Sequence, residues 1–187
     1  MNYFLGFFLD DKSRKQIIKS VGNISTIFSG MGIEVRWIKP SHYHIRIQKF
    51  EGNVGILKRL YISYKIKKFL KKEIPISLGR IKLGVTKRVR GLLYVEIDEG
   101  GDLLRKLRYE MLNTLKIKDN VQFIPYIAIG RINKDLSKQE ISNISKDMEN
   151  VSKKLSHIGV EVTVDEIDLI GTKDGNYEII KKFEIES

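Results

Sequence analysis

Apolar positions along the chain follow two periods, and these set the expected elements. Tyr3–Leu9 is apolar and aromatic almost throughout, as a buried strand requires. Ile17, Val21, Ile24 and Phe28 recur at spacings of 4, 3 and 4, one face of an amphipathic helix, and Gly30 and Gly32 follow where glycine caps a helix most easily. Ile33–Ile38 and His42–Phe50 read as strands separated by a Lys39-Pro40-Ser41 turn. Residues 56–72 predict a helix with two apolar faces. Leu57, Leu60, Tyr61 and Tyr64 lie on one, and Ile62, Ile66, Phe69 and Leu70 on roughly the opposite one. That conflict predicts a bend or break near Ser63. Pro75–Val85 and Gly91–Ile97 read as strands joined by a basic turn, Thr86–Arg90. Asp102 is placed to cap a helix running to Leu115 with Leu103, Leu107 and Met111 inward.

Gln122–Ile132 is a further strand. Ser137-Lys138-Gln139-Glu140 is a capping box, in which serine and glutamate each satisfy an orphan N–H at a helix start. Ile141, Ile144, Met148, Val151, Leu155 and Ile158 then recur at alternating spacings of 3 and 4, up to Gly159. Val160–Ile170 and Tyr177–Ile185 close the chain as strands around a Lys173-Asp174-Gly175-Asn176 hairpin turn. No low-complexity linker divides the sequence. The expected architecture is α+β: a single bilobal domain over residues 1–187, with two pseudo-symmetric lobes of mostly antiparallel sheet and flanking helices around a central cleft. The strands that matter most are expected at 42–50 and 122–132.

Composition narrows the chemistry. At 187 residues, one domain or two small lobes is the prior at about 150 residues per domain. With 42% apolar and 30% charged residues the chain reads as globular rather than disordered. No apolar run reaches the roughly 18 residues that span a bilayer, and Met1–Asp11 lacks the basic start of a secretory leader. A cytoplasmic protein without a membrane partner is therefore expected. The absence of cysteine rules out disulfides, thiolate nucleophiles and zinc–thiolate sites. With three histidines besides, no metal or other cofactor is expected.

Charge is unevenly placed. The net charge is +11, yet Arg36–Arg90 alone holds 16 basic and 2 acidic residues, so the rest of the chain is slightly acidic. Such a block is either a solvated surface or a surface for polyanions, of which nucleic acid is the commonest. Walker, dinucleotide-binding, nucleophile-elbow and metalloprotease motifs are all missing. Gly30-Met31-Gly32 reads as a helix stop. What remains is His42-Tyr43-His44-Ile45-Arg46-Ile47, where alternation puts His42, His44 and Arg46 on one sheet face. These are either residues of a solvated strand or the lining of an anion site. His157 reads as a helix C-terminal residue and Trp37 as core. Tyr61, Tyr64 and Phe69, interleaved with lysines, either pack or stack on bases.

The sequence resembles the 2′-5′ RNA ligase, or RNA 2′,3′-cyclic phosphodiesterase, group of the two-histidine phosphoesterases. That group carries His-x-Thr-x once in each half, the two histidines meeting in a central cleft. Asn2–Leu9 is similar to its first strand, and Val35-Arg36-Trp37-Ile38-Lys39-Pro40 to the segment before its first motif. Phe123-Ile124-Pro125 and Gly130-Arg131 resemble the frame of its second motif. Val164–Ile170 through Asp174-Gly175-Asn176-Tyr177 resembles its final hairpin. The resemblance implies that one histidine protonates the leaving oxygen while the other activates water, and that the hydroxyls hold the phosphate.

Both motifs depart from that pattern. The first is His44-Ile45-Arg46-Ile47, with Arg46 in the threonine position. The second is Tyr126-Ile127-Ala128-Ile129, with Tyr126 in the histidine position and Ala128 in the threonine position. The resemblance makes His44 the candidate acid. Tyr126, a phenol of reference pKa about 10, is a poor base at neutral pH. Loss of one acid/base partner costs roughly 10²- to 10⁴-fold in rate. Arg46, Arg131, His42, Arg88 and Arg90 are the candidate phosphate or substrate ligands, since guanidinium binds phosphate bidentately. The expectation is a monomer that binds RNA or nucleotide phosphate with catalysis lost or severely impaired. The alternative is an active cyclic phosphodiesterase or RNA end-processing enzyme in which His44 works with a substitute base.

Overall fold

A computed structural model describes residues 2–50, 54–66, 72–86, 89–119, 121–154 and 158–184. Arg88, His157, Phe69 and Leu70 lie outside the described residues. Among the described residues, nine strands and four helices follow in chain order: β1 (Asn2–Phe8), α1 (Asp11–Gly30), β2 (Val35–Trp37), β3 (His44–Phe50), α2 (Ile56–Ile66), β4 (Ile74–Leu83), β5 (Leu92–Glu99), α3 (Gly101–Leu115), β6 (Tyr126–Ile132), α4 (Lys138–Lys154), β7 (Glu161–Val164), β8 (Glu166–Lys173) and β9 (Asn176–Glu184).

All strands belong to one antiparallel sheet in the order β7-β4-β5-β6-β3-β1-β8-β9, with β2 paired to β6. The order reads symmetrically about the β6–β3 seam. In one lobe β1 and β3 are neighbours joined through α1; in the other β5 and β6 are neighbours joined through α3. The two lobes expected from the sequence thus share a continuous sheet. β7 and β8 are separated by Asp165 alone, although six strand spacings, about 29 Å on a flat sheet, lie between them. Two peptide steps reach at most about 7 Å. The sheet must therefore curl, and does so into a half-barrel.

One face of the sheet is the core. Leu5, Phe7, Ile45, Ile47, Val95, Ile127 and Ile129 pack there with Ile17, Ile24 and Phe28 of α1, Leu104, Leu107 and Met111 of α3, and Ile144 and Met148 of α4. The opposite, open face is where the polar motif residues point. β1, with neighbours on both sides, buries Phe4 on the open side as well as Leu5 and Phe7 on the core side, which accounts for its unbroken apolar run.

Several boundaries differ from the sequence reading, each for a local reason. His42 ends a 3-10 turn, Pro40–His42, and β3 starts at His44. β6 begins only after Pro125, which has no N–H for a ladder. Val160–Ile170 is not one strand: it breaks at Asp165 where the chain passes from one lobe to the other. α3 is capped by Gly100 at φ 77°, not by Asp102, whose carboxylate pairs with Arg105; Leu104 is buried and Leu103 exposed. α2 runs unbroken through Ser63, whose hydroxyl donates to the Arg59 carbonyl at 2.7 Å. The capping box forms as expected: the Glu140 N–H donates to Ser137 Oγ at 3.1 Å and the Ser137 N–H to Glu140 Oε2 at 2.8 Å. Asp174 and Gly175 make the β8–β9 turn with φ of 52° and 80°, the left-handed pair that a two-residue hairpin needs.

Candidate functional site

The site is built on the seam. Ile45 of β3 lies opposite Ile127 of β6, both completely buried. Antiparallel pairing about that point sets His44 across from Ala128 and Arg46 across from Tyr126. Because Ile45, Ile47, Ile127 and Ile129 all face the core, these four motif residues share the open face.

His44 is held firmly. Its Nδ1–H donates to the His42 carbonyl at 2.7 Å, so Nε2 is the nitrogen left for a ligand. The imidazole stacks on Phe4 at 5.0 Å between ring centres, meets Phe8 edge-on at 5.7 Å, and has Tyr177 tilted over it at 5.1 Å. His42 reaches the same ring from its turn, 4.8 Å from Tyr177. Burial among these aromatics pushes the His44 pKa below the usual histidine range. The hydrogen bond to His42 opposes that shift, while the charges of Arg46 and His42 reinforce it. A neutral imidazole with Nε2 as acceptor is therefore the form present at pH 7. It can take a proton or accept a hydrogen bond; acting as an acid requires charging it first, against its surroundings.

Beside His44 is a cavity of about 220 Å³, lined by Asn2, Phe4, Arg46, Lys49, Thr172 and Tyr177 among others. It is smaller than the roughly 300–1,000 Å³ of drug-sized ligand sites, a size suited to one phosphate-bearing end. Arg46 is exposed and makes no hydrogen bond or ion pair among the described residues. Lys49 was not expected there, because strict alternation from His44 and Arg46 would bring Gln48 to the open face. Instead, Leu5 pairs with Gln48 and Gly6 with Arg46, so Ile47 is an extra residue on β3 and the alternation flips. Gln48 turns into the core, where it accepts from Arg108 Nε at 3.0 Å, and Lys49 faces the cavity. Gly6 sits at this bulge; a Cβ there would lie 2.3 Å from the Ile45 carbonyl oxygen.

The other candidates separate from His44. Tyr126 stacks obliquely on Tyr94 at 5.4 Å and does not line the His44 cavity. Arg131 and Arg90 line a second cavity of about 240 Å³ with Asn133, Lys134 and Asp135. Arg90 is engaged there, donating from Nη2 to the Leu136 carbonyl at 2.7 Å. Arg131 is exposed. A bulge at Ile129 turns Gly130 against Trp37, and so returns Arg131 to the open face opposite Arg36. Among the described residues no three histidine, aspartate or glutamate side chains gather to hold a metal ion.

No family model matches the sequence, and no curated protein is similar to it in sequence. Solved structures are similar in fold. LigT of E. coli in complex with 3'-AMP superposes with a TM-score of 0.70 at 14% identity, over 100% of this chain and 98% of that one. A structure described as a phosphoesterase gives 0.68 at 12% identity over 100% and 99% of the two chains. TT0787 of Thermus thermophilus gives 0.65 at 13% identity over 99% and 98%. LigT has also been solved with NADP+, ATP and phosphate.

Proposed function

The chain has the two-histidine phosphoesterase fold, and we propose that it binds the phosphate of an RNA or nucleotide end on the open face of the seam with little or no hydrolysis. The observation that carries this reading is Arg46, an exposed guanidinium that makes no ion pair among the described residues, on the same strand face as His44. Arg46 supplies a bidentate guanidinium fork and Lys49 a second positive charge to phosphate, while His44 Nε2 is an acceptor for a ribose hydroxyl or a protonated phosphate oxygen. That LigT holds 3'-AMP and phosphate supports the ligand class. The basic window of the sequence supports a polyanion.

Hydrolysis of a cyclic phosphate by in-line attack needs proton-transfer groups on opposite sides of phosphorus. Across the seam from His44 and Arg46 stand Ala128, without a polar group, and Tyr126, packed on Tyr94. His42 lies on the His44 side, near Tyr177, and so does not serve the far side. The competing reading, an active RNA 2′,3′-cyclic phosphodiesterase with His44 as acid, requires one of these to act as base.

Turnover of an RNA ending in a 2′,3′-cyclic phosphate decides between the two. Under our reading wild type is no faster than His44→Ala, and binding of a 3′-phosphorylated single strand falls at least tenfold in Arg46→Ala and weakens steeply with salt. The triple change Arg46→Thr, Tyr126→His and Ala128→Thr then creates activity on the existing fold. Robust hydrolysis by wild type that is lost in His44→Ala would overturn it.

A further inference from the structure

α2 leaves an apolar surface in water. Ile62, Ser63 and Ile66 are buried, whereas Leu57 is 83% exposed, Ile56 75%, Leu60 58% and Tyr61 41%. At 100° per residue, Leu57, Leu60, Tyr61 and Tyr64 fall within an arc of about 100° opposite Ile62 and Ile66. The helix thus leaves most of one apolar face in water, with the Tyr61 hydroxyl reaching the Thr114 carbonyl of α3 at 3.4 Å. Lys58 and Lys65 border the strip on one side, with the Lys65 ammonium 5.6 Å over the Tyr61 ring. Residues 56–72 include seven basic and no acidic side chains. A contiguous exposed apolar patch of this kind marks an interaction surface.

We infer that α2 docks on an anionic lipid surface, with Leu57, Leu60 and Ile56 entering the headgroup region and Lys58 and Lys65 meeting lipid phosphates. Charge and shape together select this occupant. A second copy of the chain would set two lysine-bordered strips against each other. Single-stranded RNA would satisfy the lysines and stack on Tyr61 and Tyr64, but it gives no apolar volume to Ile56 and Leu57, the two most exposed side chains. A bilayer interface supplies an anionic plane and an apolar layer behind it, and needs no preformed groove to receive a convex helix. No described helix is long and apolar enough to cross a membrane; the contact is a helix lying in the interface.

The test uses the full chain and vesicles of phosphatidylcholine with or without phosphatidylglycerol. Trp37, the sole tryptophan, packs edge-on against Phe28, so a second tryptophan from Leu60→Trp reports on the surface. Its emission should shift to the blue with anionic vesicles and not with neutral ones. Wild type should float with the anionic vesicles, and the Leu57→Ser/Leu60→Ser variant should partition at least roughly tenfold less. Both serines replace exposed side chains, and an unchanged circular dichroism spectrum establishes that the variant is folded. Failure of wild type to float with anionic vesicles at low salt overturns the inference. So does equal flotation of the folded double variant, and so does equal binding to neutral vesicles. Because Leu57 and Leu60 do not line the His44 cavity, the outcome is separable from that of the phosphate-binding experiment.

Discussion

Ile45 faces Ile127 across the seam, and among the described residues this is the single register pair between β3 and β6, beside the β2–β6 pairing that also ties the two lobes together. His44 and Arg46 flank it on β3, so their place on the open face follows from it. Truncation at either side should therefore be felt twice. Ile127→Ala removes a fully buried side chain, and about 2–5 kcal/mol of stability should be lost in urea unfolding. Phosphate affinity should drop in the folded variant as well, because the alignment of His44 with Ala128 loosens. Loss of stability without loss of affinity would mean that the seam does not set the site.

The β3 bulge makes opposite predictions for adjacent residues. Lys49→Ala should weaken binding of a 3′-phosphorylated RNA and change stability by no more than about 0.5 kcal/mol, as for an exposed position. Gln48→Ala should leave binding nearly intact and cost about 1–3 kcal/mol, because Arg108 loses a buried acceptor. Paired isothermal titration and urea unfolding measure both quantities. If Gln48, and not Lys49, governs binding, the bulge is misplaced.

His44 should titrate below the ordinary histidine value of about 6.5 when its ring resonance is followed by NMR against pH. A folded pKa lower than the unfolded one means that this group's contribution to stability is complete above about pH 6.5 and is lost as the pH falls below it. Inorganic phosphate bound at Arg46 should move the midpoint upward, since an anion favours the imidazolium. A midpoint indifferent to phosphate would place the anion elsewhere.

Asp168 is completely buried on the open-face side of β8, opposite Gly6 and Lys182, and neither carboxylate oxygen has a hydrogen-bond partner among the described residues. Burial, reinforced by Glu166 and opposed by Lys182, pushes its pKa up to about 6. The folded state therefore holds a proton that the unfolded chain has released between about pH 4 and 6. Stability from this group falls across that window as pH rises, by roughly 2–3 kcal/mol in all, and stays lower above it. Asp168→Asn should flatten this part of the stability profile in thermal melts from pH 4 to 7. An unchanged slope would assign it to another group.

What the sequence determined by itself was whatever depends on neighbouring residues along the chain. The period-3.6 stripe of α1, the serine–glutamate box that starts α4, the Asp174-Gly175 turn and the apolar run of β1 each follow from local geometry and solvation, and each is found. The three departures from the paired motif, Arg46, Tyr126 and Ala128, are likewise visible in the four letters of each motif. Tertiary structure decided what depends on a partner. A bulge at Ile47 arises from the register of β3 against β1, so alternation named Gln48 where Lys49 stands. The break at Asp165 exists because the curled sheet brings its distant strands within reach of one residue. The conflict in α2 was legible as two apolar faces, but only packing decided that the helix runs unbroken through Ser63 and leaves Ile56, Leu57 and Leu60 in water. His44 shows the division most clearly. Its place on a strand beside Arg46 could be read from alternation, whereas its proton affinity is set by Phe4, Phe8 and Tyr177, which converge from β1 and β9, because desolvation is a property of the folded surroundings and not of the sequence around the residue.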